Sequence, residues 1–299
     1  MLNYILMLVS VFVNVAASSF NNKFAKKQLL GPADNYIFNL VLSISSATVL
    51  IPFCIKTLDG ISTYTIILGI IFGIINSATF LVKTTAFQNG PMSFTVLISS
   101  CGMLIPTVFS AIMWPEVDHI SIIQGIGIVI MLGSIYLVLS KNGSDGKITA
   151  KWVICCAVIF VLAGLIGVAQ KIQRNSDYAD ENYAFLCIAF FTSTILIFFE
   201  LIIKTHKKHT FKESFSSWGF KKIGLACVTG CFTVIMHIIN LNLSGELPAA
   251  IFFPIVNGGA IFLSGLVGWV LFKEKFKISQ LIGFGLGLLS IMMVGNVFA

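Results

Sequence analysis

Long apolar runs separated by short polar connections make up this chain. Ten runs stand near the length that crosses a bilayer as a helix, about 20 residues. They cover roughly 2–22, 35–56, 64–87, 92–114, 119–140, 151–172, 182–204, 222–243, 249–272 and 278–298. No stretch shows the apolar–polar alternation of period two that a membrane β-barrel needs. In hydrocarbon every backbone amide has to be bonded within its own segment, so the runs are expected to be helices. The first run has no basic residue before its apolar core, unlike a secretory signal, and is read as a helix of the mature chain. The expected fold class is an all-α integral membrane protein with ten transmembrane helices.

Composition points the same way. The chain has 299 residues, 57% of them hydrophobic and only 10% charged, where a soluble domain carries about 25% charged residues. The connections, such as "KNGSDGK" and "KTHKKHTFKESF", hold most of the charge. With ten spans and an external N-terminus, every Lys and Arg except Lys56, Lys171 and Arg174 falls at or near the loops after runs 1, 3, 5, 7 and 9. The positive-inside rule then places both termini outside a cell membrane. This bias accounts for the formal charge of +7, so the basic loop before run 8 implies lipid headgroups and topology, with no nucleic acid partner. The seven cysteines all lie within runs and read as small packing residues, with no disulfide or zinc spacing.

An internal repeat organises the runs. "MSFTVLISSCGMLIPTVFSAIMWPEVDHISIIQGIGIVI" in the first half matches "AAIFFPIVNGGAIFLSGLVGWVLFKEKFKISQLIGFGLG" in the second. With Glu116 on Glu274, Gly125 falls on Gly283, Gly127 on Gly285, and Asn257-Gly258-Gly259 over Ser99-Ser100-Cys101. One inserted residue upstream brings Pro91 onto Pro248 and Lys83 onto Asn240. The halves are residues 1–147 and 148–299, five runs each. An odd number makes the second copy enter the membrane the other way up, as in many transporters.

A proline-led helix with small and polar residues, a glutamate at its far end and then a helix with G-x-G, all occurring twice, resembles the drug/metabolite transporter superfamily. More narrowly, it is similar to the ten-span EamA-type members over essentially the whole chain. The resemblance implies two inverted five-helix repeats around a central cavity, a substrate site between the halves, alternating access, and cytoplasmic termini. The last of these is opposite to the charge-derived orientation.

Polar side chains at depth are costly and are expected to face the bundle interior. The candidates are Asn14, Asn39, Asn76, Lys83, Gln124, Glu200, His237, Asn240 and Asn257. Asn76 and Lys83 are seven residues apart on one helical face, and His237 and Asn240 three apart on another. Ser99, Ser100 and Asn257 are the polar positions of the repeated proline-led helices, where Pro106 and Pro254 are candidate hinges with freed carbonyls. Lys83 has two readings. Its stem could snorkel to the headgroups, or its ammonium could face a cavity and receive a carboxylate or phosphate. Each polar residue also has the plainer reading of a helix–helix hydrogen bond. Glu200, one turn before Lys204, reads as a paired interfacial carboxylate, and Glu116 and Glu274 read as interfacial anchors.

The first run holds Asn14 and no acid, unlike the small multidrug branch of the superfamily, which disfavours proton-coupled export of lipophilic cations. An intramembrane enzyme, the alternative of another class, is disfavoured on motif: "FLSG" around Ser264 lacks the first glycine of a rhomboid site, H-E-x-x-H is absent, and no aspartate lies within a run. The expected function is secondary transport, in the export direction, of a small polar carboxylate or anionic solute such as an amino acid. A flippase for a lipid-linked sugar is the alternative. No cofactor or metal is implied, and the partners are the solute and membrane lipid.

Overall fold

The computed structural model describes residues 2–29, 31–54, 60–113, 121–139, 149–206, 218–246 and 254–294. Among these, eleven α-helices follow one another: α1 (Leu2–Lys27), α2 (Pro32–Cys54), α3 (Thr63–Asn89), α4 (Met92–Cys101), α5 (Leu104–Met113), α6 (Ile122–Leu139), α7 (Ala150–Arg174), α8 (Asn182–His206), α9 (Phe220–Glu246), α10 (Gly259–Val270) and α11 (Ile278–Val294). A 3-10 turn, Ala179–Glu181, leads into α8, and a π-helical turn, Pro254–Gly258, leads into α10. No β-strand occurs among the described residues. Seven helical stretches are long and apolar enough to cross a membrane, α4 and α5 counting as one, and three shorter apolar helices accompany them. The protein is an all-α, multi-pass membrane protein.

Its outer surface carries exposed Phe12, Ile67, Ile74, Phe199, Ile203 and Trp269, an apolar coat far larger than a water-facing monomer tolerates. Polar residues such as Ser43, Ser46, Asn76, Thr84 and Ser193 are turned inward. That inversion is what a hydrocarbon solvent selects.

Local sequence sets the helix starts. Ser62 Oγ accepts the Thr65 amide at 3.2 Å and begins α3, and Thr149 Oγ1 does the same for Trp152 in α7. Ser121 and Gln124 form a reciprocal capping box at α6, each side chain accepting the other's backbone amide. Two acids then tie distant starts together. Glu181 accepts from the amide and hydroxyl of Ser62, and Asp34 accepts from Trp218 Nε1 at 2.8 Å, with Lys222 at 3.8 Å.

The principal helix pairs join residues before 140 to residues after 149. α1 lies antiparallel to α9 through Ser10–Asn240, Phe20–Phe232 and Phe24–Trp218, and α7 lies antiparallel to α3 through Gln173–Thr65 and Trp152 against Gly90. α2 runs parallel to α9, with Ser46 Oγ donating to the Gly230 carbonyl. α8 runs parallel to α3, with Ser193 Oγ donating to the Gly73 carbonyl. α6 and α11 pair through Gln124–Val294 and Ser134–Gly283. Glycines at the crossings let the backbones approach. At Gly102 a β-carbon would lie 2.6 Å from the Phe160 carbonyl of α7.

The fourth run is interrupted. Gly102 N and Met103 N bond back to Ser99 O and Ser100 O in 3-10 fashion, so α4 ends there and α5 starts at Leu104. Pro106 lacks the N–H that would reach Gly102 O, which instead accepts from Ile105 N at 3.0 Å. The bend expected at Pro106 therefore sits one turn upstream of it. Pro254 opens the π-turn that ends at Gly258. Glu116, Pro115, Pro248 and Lys56 lie outside the described residues.

Candidate functional site

A cavity of about 200 Å³ lies where α1, α3, α5, α7, α9 and the π-turn converge, with the end of α4 beside it. Asn76, Lys83, Ser99, Ser100, His237, Asn240 and Asn257 all line it, as does the candidate hinge Pro106. The elements position them as their spacing requires. α3 presents Asn76 and Lys83 two turns apart, α9 presents His237 and Asn240 one turn apart, and the break after α4 brings Ser99 and Ser100 to the wall. Of Pro254 the structure describes the π-turn it opens.

Some of these side chains are engaged and others are not. Asn240 Oδ1 accepts from Ser10 Oγ of α1. His237 Nδ1 stands 3.3 Å from Gln170 Nε2, and its ring meets Phe72 and Phe190 edge-on, at 5.9 and 5.7 Å between centroids. The amide of Asn76 reaches Ser193 Oγ at 3.5 Å, but its carbonyl oxygen has no partner among the described residues. Ser18 Oγ and Asn21 Oδ1, on the α1 wall, are likewise buried without a partner among the described residues. Buried polar atoms left unpaired are costly, and three of them edge this one cavity.

Lys83 is half-buried. Its Nζ stands 5.8 Å from the Phe87 ring centroid, and among the described residues no carboxylate pairs with it. The described lining holds amides, hydroxyls, one imidazole and this ammonium, with no acidic side chain. Such a wall donates hydrogen bonds and positive charge to an anionic group while offering amide oxygens to a donor. Among the described residues no three of His, Cys, Asp and Glu lie close enough to hold a metal ion.

The other polar positions are placed elsewhere. Asn39 is buried between helices, its amide donating to the Asn35 carbonyl and to Thr84 Oγ1. Gln124 caps α6 and donates to Val294 O at 2.9 Å. Glu200 is exposed near the end of α8. Ser264 is buried and donates to the Ile261 carbonyl of its own helix. Glu274, expected as an interfacial anchor, accepts from the Met92 and Ser93 amides and from Ser93 Oγ, capping α4 from the other half of the chain. Asn14 also lines the cavity. Ser18, Asn21, Gln170, Thr229 and Thr233 line it without having been singled out. Asn21 and Gln170 sit beside lysines at helix ends, where anchoring is the first explanation.

The sequence matches no family profile and no curated protein. A solved structure described only as "Crystal structure of protein" superposes with a TM-score of 0.60 over 97% of this chain and 99% of its own, at 14% identity. At that identity the likeness concerns the fold alone.

Proposed function

We propose that the chain is a secondary transporter of the drug/metabolite transporter kind, EamA-like, moving a small carboxylate-bearing or anionic solute by alternating access. The observation that carries this reading is Lys83, an ammonium without a carboxylate partner among the described residues, set in the wall of a cavity that also holds amides and hydroxyls. The volume suits a small metabolite, since drug-sized ligands need pockets of about 300 Å³ or more.

The packing supports a ten-span, inverted-repeat architecture. Exchanging the first half for the second turns the α1–α9 pair into α7–α3, and the α2–α9 pair into α8–α3, with strand-wise sense preserved in each: antiparallel, then parallel. α3 and α9 have equal lengths of 27 residues, and both breaks, after Cys101 and at Pro254–Gly258, fall in matching segments. Half-helices interrupted beside a midplane cavity are the usual substrate platform of such carriers.

The flippase alternative finds a lateral apolar groove between α4, α10 and α11, but that groove shares no lining residue with the polar cavity. The small-solute reading therefore takes precedence.

The test is a thermal-shift screen of the purified protein in detergent, wild type beside Lys83→Gln, against amino acids, organic acids, sugar phosphates and organic cations. An anionic or zwitterionic solute is expected to raise the midpoint of the wild type, and the mutant is expected to lose that response. Stabilisation by cations only, or an undiminished response in the mutant, overturns the assignment.

A further inference from the structure

The linker from α10 to α11 contains "FKEKFK". Lys273, Lys275 and Lys277 are exposed while Glu274 and Phe276 between them are turned inward. Glu274 is held by the N-terminus of α4, and Phe276 packs against Phe94 of α4 at 5.4 Å between ring centroids. Lys273 takes a left-handed backbone, φ 53°, a conformation that non-glycine residues seldom adopt. With Glu274 committed to backbone amides, its charge faces α4 and leaves the lysines to the outside. Lys273, Lys275 and Lys277 thus alternate with two inward residues and form a short comb.

Beside the comb runs a groove of about 760 Å³, lined by Phe284, Phe262, Leu266, Trp269 and Leu281, with Lys273 and Lys275 on its wall and, between them, Glu274, whose carboxylate is taken up by the α4 amides. Gly265 shapes the lining, because a β-carbon there would lie 2.5 Å from Phe284 Cζ. Phe262, Leu266 and Trp269 form one exposed stripe on α10. Trp269 stands one helical turn before Lys273, and tryptophan is enriched at membrane interfaces. The repeat-related positions in the first half, Pro115, Val117 and His119, carry no lysine, as the positive-inside bias of an inverted repeat requires.

We propose that this groove is a binding site for an anionic glycerophospholipid. Its phosphate lies between Lys273 and Lys275, and its acyl chain lies along Phe262, Leu266 and Phe284. The proposal depends on the chain being embedded in a bilayer and not on what the central cavity carries.

The experiment reconstitutes the full chain in phosphatidylcholine vesicles and titrates in brominated phosphatidylglycerol or brominated phosphatidylcholine. The readout is quenching of Trp269 fluorescence, taken as the difference between wild type and Trp269→Phe. Each lysine near an anionic headgroup contributes about a fivefold preference, so the phosphatidylglycerol probe is expected to quench at roughly one-tenth the mole fraction or less. The preference is expected to vanish in the Lys273→Gln/Lys275→Gln double variant and to persist in Lys273→Arg/Lys275→Arg, which also controls for folding. Equal quenching by both lipids in the wild type overturns the proposal and leaves the lysines an orienting role only. Quenching by neither, with a dimeric mass, overturns it in favour of a second copy on this face.

Discussion

A β-carbon at Gly73 would lie 2.6 Å from the Ala189 carbonyl oxygen of α8, whereas one at Gly125 would meet nothing within 4 Å. Gly73→Ala is therefore expected to force α3 and α8 apart at a cost of about 1–3 kcal/mol, and Gly125→Ala to be neutral or mildly stabilising through helix propensity. Thermal unfolding of the two variants in the same detergent checks the contrast. Residue chemistry also explains what could be read in advance. Asn76, Lys83, His237, Asn240 and Asn257 stood out because hydrocarbon penalises each of them, and all five meet at one cavity. Asn39 stood out for the same reason and is instead absorbed by Asn35 and Thr84. Polarity at depth says that a side chain turns inward; it does not say whether a neighbour or a solute will satisfy it. Ser18 and Thr233 were illegible because a hydroxyl can bond its own helix and so marks no particular depth.

Among the elements, α4 depends on a residue far away in sequence. Its first amides are capped by Glu274, and the N-cap position itself is Pro91, which offers no side-chain cap. Glu274→Ala is expected to cost about 1–2 kcal/mol, the usual range for losing a cap, and to speed hydrogen exchange at Ser93 in peptides covering 88–101. Glu274→Gln is expected to fall between, since one carboxamide oxygen replaces two carboxylate oxygens. Helices α1, α3, α7 and α9 could be read from hydropathy and length. The division of the fourth run could not: glycine and proline are common in membrane helices, and only the 3-10 bonds at Gly102 and Met103 reveal where the ladder stops.

At the scale of the whole molecule, the strongest helix pairs join the two halves of the chain. The pairs α1–α9, α3–α7, α3–α8, α2–α8, α2–α9 and α6–α11 all cross the boundary near residue 147. Residues 1–147 and 148–299, expressed as two chains in one cell, are expected to copurify as a complex, and either alone is expected to aggregate or be degraded. Pull-down through a tag on one chain decides it, and recovery of each half as a stable, separate species would contradict the packing. The same interleaving is why a sequence reading could propose two repeats of five yet not show how they fit: the principal partner of a helix lies in the other half.

Lys83 is the one formally charged side chain among the described residues that line the cavity. In the proposed transport cycle a bound monoanion would cancel that charge, so the loaded protein would reorient nearly neutral and the empty one with a unit of positive charge. The membrane potential exerts up to about 2.3 kcal/mol per charge per 100 mV. Voltage would then govern how fast the empty protein resets rather than how it moves its cargo. A zwitterionic solute leaves the charge in place on both strokes, and so turnover of anions and zwitterions would respond to voltage in different ways.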